Sequence, residues 1–342
     1  MSFSSNALSA KAKAMYGGRL DKQVYLELAR KQTIGEVVNY LKQTSYADAL
    51  KDINIRHVHR GQIEDSLNKE YYHRCAKLMK YAPKKDEEFY LFEIMGVEIN
   101  LIVDKLASLQ AKEQYSFNLS IPSYLTKKTS FNIDGLVNIE SYQELLKYLQ
   151  KTKYYKILKE IDFSLPINIS EVHKELQALY YENIVTMIKK HFKGSIQKDL
   201  LNILYTSIEL KNITKIYRYK QYYHESKETI EQSLFLQYSR LPKDMMERLI
   251  EASGAKEVLT ILSSSKYNFY KDDKEYPYVE YYADSIQYNI AKKNMRFSNQ
   301  APLVYMTYSI LQRIEIDNLK HIIEGIRYNQ SVSKIEETLI FA

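Results

Sequence analysis

Apolar residues recur along this chain at steps of three and four. Between Leu311 and Ile326 they fall at Leu311, Ile314, Leu319, Ile322, Ile323 and Ile326, which is one stripe of a helix. Val172 to Lys190 shows the same spacing through Val172, Leu176, Leu179, Tyr180, Ile184 and Met187, and Ile63 to Met79 shows it through Ile63, Leu67, Tyr71 and Leu78. Breakers separate such segments at Ala82-Pro83, Leu165-Pro166, Leu241-Pro242 and Tyr276-Pro277. No stretch has the strict alternation of half-buried strands. The segment from Leu119 to Ser123 reads as a loop because Pro122 removes a donor, and Phe297 to Gln312 reads as a loop entering a helix. The pattern predicts an all-α protein.

The helical pattern also repeats. Ile34–Lys51, Tyr142–Lys159 and Ala255–Lys271 read alike, the last one residue shorter. Each places a Glu five residues before a Leu: Glu36 and Leu41, Glu144 and Leu149, Glu257 and Leu262. Three residues on stands a hydroxyl (Thr44, Thr152, Ser265), and two further a Tyr (Tyr46, Tyr154, Tyr267). A second element follows, Ile63-x3-Leu67-x3-Tyr71-Tyr72 and Val172-x3-Leu176-x3-Tyr180-Tyr181, with a weaker third copy at Val279 and Ala283. A third is an Asn before an aliphatic, at Asn100, Asn212 and Asn318. Glu209 and Glu315 precede the last two Asn by three. In the first copy Glu98 stands only two before, and Val97 takes the acid's place. Elements recurring in one order with a period near a third of the chain predict three similar helical lobes, 1–125, 126–235 and 236–342. Positions 311, 315, 318 and 322 share one helix face, so Glu315 and Asn318 are expected to be paired inside the fold, as a hydrogen-bond register between helices or lobes rather than as catalysts.

Composition narrows the picture. Nine Gly and six Pro in 342 residues are little more than a third of typical usage, roughly 7% and 5%. That disfavours sandwiches, propellers and Gly-rich nucleotide-binding folds. Trp is absent and Tyr numbers 32, so Tyr rings must fill much of the core and their hydroxyls need partners. The single cysteine, Cys75, excludes an intrachain disulfide framework and fits a reducing setting. Residues 1–15 have no apolar leader-like stretch, and no run of 18 apolar residues exists, so neither a signal peptide nor a membrane-crossing helix is expected. The formal net charge of +7 permits an anionic partner without requiring one.

Chemistry-bearing motifs are missing. There is no phosphate-binding loop, no G-x-G-x-x-G, no H-E-x-x-H and no G-x-S-x-G. Ser195-x-x-Lys198 and Ser263-x-x-Lys266 have a β-lactamase-like spacing without its companion motifs. His57, His59, His73 and Cys75 suggest metal ligands, but residues 73 and 75 lie two apart on an expected helix and face opposite sides. No catalytic residue, metal site or cofactor is expected. Two basic, acid-free stretches remain. One holds Lys211, Lys215, Arg218 and Lys220 among tyrosines, the other Lys292, Lys293 and Arg296. They are candidate interfaces, and they support an alternative reading as a helical nucleic-acid-binding protein.

The residues also resemble a known family. The opening from Asn6 to Leu20, with Met15, Tyr16 and Arg19-Leu20, the segment Glu36 to Tyr46, and the closing Pro302-Leu303, Glu315-Ile316, Asn318-Leu319, Ile322-Ile323 and Gly325 are similar to the C subunit of bacterial and archaeal V-type (A-type) ATPases, called the d subunit in eukaryotes. The resemblance spans essentially the whole chain. It implies a non-catalytic rotor part, with three lobes about a pseudo-threefold axis in a funnel. It further implies a seat on the proteolipid ring, a socket for central-shaft subunits of the D and F type, and a peripheral place on the cytoplasmic side of the membrane. Such a part would transmit torque between ATP turnover and H⁺ or Na⁺ transport. It would bind neither nucleotide, ion nor nucleic acid.

Overall fold

A computed structural model describes residues 3–55, 59–113, 125–267 and 280–341. Among the described residues the chain is all helix, with no strand. Seventeen α-helices follow in order: α1 (Phe3–Gly17), α2 (Lys22–Ala29), α3 (Ile34–Leu41), α4 (Ala47–Leu50), α5 (Arg60–Met79), α6 (Glu87–Tyr90), α7 (Phe92–Ala111), α8 (Tyr142–Leu149), α9 (Tyr155–Leu158), α10 (Ile169–His191), α11 (Gly194–Arg218), α12 (Lys227–Ser233), α13 (Lys243–Glu251), α14 (Ala255–Ser263), α15 (Glu280–Phe297), α16 (Ala301–Arg327) and α17 (Val332–Glu336). Pro302 sits in the first turn of α16, where a missing N–H is harmless. The proline-bearing Leu119–Ser123 segment lies outside the described residues.

Six long helices follow one another as three successive pairs, α5 with α7, α10 with α11 and α15 with α16, and pack in the order α7, α10, α11, α15, α16, α5. At one end their turns are short and converge. Phe89 meets Phe192 edge-on at 5.0 Å, and Tyr90 meets Tyr305 at 5.0 Å. Tyr305 donates to the Tyr90 carbonyl at 2.9 Å. Ser9 of α1 donates to the Asn299 carbonyl there as well. Apolar side chains from all six helices and α1 close this end into one core. At the opposite end the pairs carry the short helices. Arg60 bonds Glu324 (2.7 Å), Arg218 bonds Glu280, and Gln110 accepts from the Ile167 N–H (2.6 Å).

The short helices form three modules packed on the long ones. The first, α2–α4, packs with α17 against α16, and the second, α8–α9, packs on α7 and α10. The third, α12–α14, packs on the last turns of α11. The repeated Glu closes the first turn of a helix in each. Glu36 accepts from Gln32 N–H at 2.9 Å, Glu144 from Glu140 N–H at 2.9 Å, and Glu257 from Ser253 N–H at 2.7 Å. Thr33 and Ser141 cap the first two in return, accepting from Glu36 N–H and Glu144 N–H, so the pattern is a capping motif whose Glu takes the N–H one residue before the cap.

Candidate functional site

One polar arrangement occurs three times. The hydroxyls of Thr44, Thr152 and Ser265 each donate at 2.7 Å to the carbonyl three residues back (Leu41, Leu149, Leu262). Thr44 and Ser265 also accept from the N–H of Tyr46 and Tyr267, at 3.2 Å each. This turn aims each Tyr at an acid on a long helix. Tyr46 donates to Glu315 at 2.7 Å, Tyr154 to Glu98 at 2.5 Å, and Tyr267 to Glu209. Each acid takes a second donor from a loop of the same module, the one before its first helix in the first two and the one between α12 and α13 in the third. These are Leu20 N–H for Glu315 (3.0 Å), Ser130 N–H for Glu98, and Leu241 N–H for Glu209 (2.5 Å). Each carboxylate therefore clasps a module at two points.

Electrostatics agree with this role. Burial, then the Glu315 charge, pushes the Tyr46 hydroxyl well up, so it remains a donor. Burial alone would raise Glu209. Hydrogen bonds from Tyr267, Lys266, the Arg240 N–H and Ser239 outweigh it and hold the carboxyl below its ordinary range. In two clasps the acid lies one repeat upstream of its Tyr, and Tyr46, which has no upstream repeat, takes its acid from α16 at the other end of the chain. Only there do further buried groups join. Arg74 reaches Gln312 (3.0 Å), Glu315 (3.4 Å) and Glu70 (2.7 Å), and Gln312 donates to Tyr46 at 2.9 Å.

Asn318 and Asn212 are buried and act alike. Asn318 donates to the Ile340 carbonyl (2.7 Å) and accepts from its N–H (2.9 Å). Asn212 does the same with Phe235 (3.3 and 3.1 Å). Asn100 does not belong with them, which corrects the sequence register by one residue. Its side chain is exposed. Glu98 is the clasp acid, and the position three beyond it is Leu101. The first basic stretch is partly engaged within the chain: Lys215 donates to the Ser233 carbonyl at 2.9 Å and Arg218 pairs with Glu280. Lys211 lies 3.5 Å from the Tyr181 hydroxyl, while Lys220 is half-buried. Lys292, Lys293 and Arg296 stand at the opposite, sealed end. His59 precedes α5, His73 and Cys75 lie on it, and His57 is outside the described residues. Among the described residues no cluster of His, Cys, Asp or Glu is fit to hold a metal.

Between the six long helices lies a cavity of about 510 Å³. The repeated Tyr pairs, Tyr71-Tyr72 and Tyr180-Tyr181, form part of its wall. Phe92, Ile184, Ile203 and Met306 mark its inner end, next to the sealed core. Asn100, His173, Lys211, Asp284 and Asp317 mark the outer end, eight to eleven residues away along their helices, or about 12–16 Å. No hydrogen bond or ion pair reaches Asp284 among the described residues. Burial, then Asp317 and Glu280, raises its carboxyl to about 7, with Lys211 opposing. Arg313 lies over the Tyr71 ring at 4.1 Å and reaches Glu93 at 3.4 Å. Neither the cavity nor these charged residues carries a sequence motif. The only signal was the recurrence of the Tyr pairs.

The described residues form a helical scaffold held by three internal clasps around a cavity. The ATP synthase (C/AC39) subunit family matches residues 8–338, and the chain belongs to that family, a non-catalytic subunit of the ATPase complex. Its relatives include the C subunit of the A-type ATP synthase of Methanococcoides burtonii, 22% identical over 97% of this chain and 93% of that protein. The C subunits from Pyrococcus horikoshii (23%; 97% and 89%) and Methanosphaera stadtmanae (24%; 97% and 86%) are similar over the same extent. No helix among the described residues is long and apolar enough to cross a membrane.

Proposed function

We propose that this chain is the central-stalk socket of a rotary ATPase, joining the shaft subunits of the D and F type to the proteolipid ring. It transmits torque between ATP turnover and H⁺ or Na⁺ transport from the cytoplasmic side of the membrane. Three lobes, 1–125, 126–235 and 236–342, stand about a pseudo-threefold axis as a funnel, and each lobe's Tyr is held by an acid of a neighbouring lobe. The observation that carries the reading is the blind cavity. It is walled by all three long-helix pairs, it opens away from the aromatic seal, and its 510 Å³ suits the side chains at a helix tip. A part that carries torque must be stiff, and clasps that interlock neighbouring lobes supply that stiffness.

The test is titration of purified shaft subunits into the chain. Gly96 lines the cavity, and a Cβ there would meet only the Tyr180 ring at 3.9 Å. Gly96→Trp therefore fills the space without disturbing the helix backbone. Shaft binding should weaken at least about tenfold, the loss of roughly one well-buried anchor, while the melting temperature stays near that of the parent. No binding by the parent chain, or equal binding by the filled variant, would refute the socket.

A further inference from the structure

The sealed end of the bundle gathers almost all of the chain's excess charge. Four segments converge there: 6–16 of α1, the turn 80–90, the turn 187–199 and the helix end 292–300. Together they hold twelve Lys or Arg and four acids, a net of +8 against +7 for the whole chain. The remainder of the molecule is thus close to neutral. Three of the four acids are already engaged. Asp86 is buried beside His191 (3.6 Å), Glu87 pairs with Lys128 (2.6 Å), and Glu88 pairs with Lys190 (2.7 Å). Lys84, Lys85, Lys293 and Arg296 are exposed and form no ion pair among the described residues. Two aromatic side chains stand among them, Phe297 at 80% exposure and Tyr81 at 40%.

We propose that this sealed end binds an anionic lipid bilayer directly, its lysines and Arg296 on headgroup phosphates and Phe297 and Tyr81 at the interface. The inference rests on the socket reading, which leaves the sealed end as the side away from the shaft, and it adds the surface and its ligand. Charge complementarity selects the partner. Basic side chains beside an anionic leaflet each contribute an attraction that fades within a Debye length. An exposed Phe flanked by Arg296 and Lys293 has no role in the fold, since the core at this end is complete without it. Aromatic side chains among cationic ones suit the headgroup boundary. A duplex nucleic acid would use the charges but leave Phe297 in water.

The experiment is flotation of the purified full-length chain with vesicles of phosphatidylcholine alone, or of phosphatidylcholine with a third phosphatidylglycerol. The chain should float with the anionic vesicles and not with the neutral ones, and less so as salt rises. The triple variant K84E/K293E/R296E should partition at least about tenfold more weakly. Phe297→Ser should lose a few-fold at high salt, where charge is screened. The matched variant K51E/K151E/K256E, one exposed lysine on each module, should float like the parent. Equal flotation with both vesicle types would overturn the proposal, as would an equal loss in the module variant. So would duplex DNA that displaces the chain from vesicles while Phe297→Ser has no effect. Shaft binding is measured without vesicles, so its failure would strike the socket alone, whereas failed flotation with intact shaft binding would strike only the lipid surface.

Discussion

Glu209 and Asp284 lie on neighbouring antiparallel helices, α11 and α15, yet their carboxyl groups behave in opposite ways. Glu209 is fully buried and receives Tyr267, Lys266, Ser239 and two backbone N–H groups, which bring its pKa below the ordinary range. Asp284 is only half-buried, but it faces the cavity without a donor and is raised to about 7. The more deeply buried acid has the lowered pKa, so the direction is set by the donors around Glu209 and by the lack of them, with Asp317 and Glu280 nearby, around Asp284. The donors around Glu209 come from a loop and a module folded onto it, so that acid belongs to the architecture. Asp284 has no such donors among the described residues and sits at the outer end of the cavity, beside Lys211 and Asp317.

The comparison predicts opposite signs on mutation. Removing a clasp acid strands its donors. Glu315→Ala leaves Arg74, Tyr46 and the Leu20 N–H without their shared acceptor, and should destabilise the chain by about 3–5 kcal/mol. Glu98→Ala, with Tyr154 and one backbone N–H as its donors, should cost about 2–3 kcal/mol. Denaturant melts of the two variants give the order, and a larger loss for Glu98 would break it. Chain separation works against this order. The Tyr46–Glu315 contact joins residues 269 apart, the Tyr154–Glu98 contact residues 56 apart. Closing the longer loop costs about 1.4 kcal/mol more. One charge-assisted hydrogen bond from Arg74 offsets a term of that size, and that arginine is present only at the closing clasp.

Asp284→Asn should act the other way. A carboxyl whose folded pKa is raised binds its proton more tightly when folded, so it favours folding below about 4. That contribution is lost as pH rises toward 7. The parent chain should therefore lose stability between about pH 4 and 7 relative to the Asn variant. At pH 8 the variant should be the more stable by on the order of 1–3 kcal/mol, and at pH 4 the two should match. Identical pH profiles from thermal melts would show that Asp284 is solvated and that the contrast with Glu209 is only one of position.

Much of this was legible in the sequence, and the limits are physical. Helical period, low Gly and Pro, and the turn formed by Thr44 and Tyr46 all act over a few residues, so they can be read locally. Tyr46, Tyr154 and Tyr267 stood out by recurrence, and so did Glu209 and Glu315. Their pairing did not, because Tyr154 and Tyr267 each reach an acid of the preceding repeat and Tyr46 reaches across the whole chain. Asn100 misled because a neighbouring Asn fell one residue short of the site that Leu101 fills. The stretch from Lys211 to Lys220 looked like a free basic surface. The partners that engage two of its cations, the Ser233 carbonyl and Glu280, lie 18 and 62 residues downstream of Lys215 and Arg218. Asp284, Arg313 and the cavity were invisible, since no residue type marks a space that exists only where three helix pairs diverge.

The socket is tested most directly by a cross-link from inside the cavity. Gln287 lies on its wall, and the native Cys75 is buried with a thiol pushed far up by desolvation, so a cysteine placed at 287 would be the reactive one. Gln287→Cys in the assembled membrane complex, treated with a short cysteine-reactive photocross-linker, should give a product containing a shaft subunit. Products with the proteolipid instead, and shaft products only from a cysteine at position 297 on the sealed end, would contradict the account.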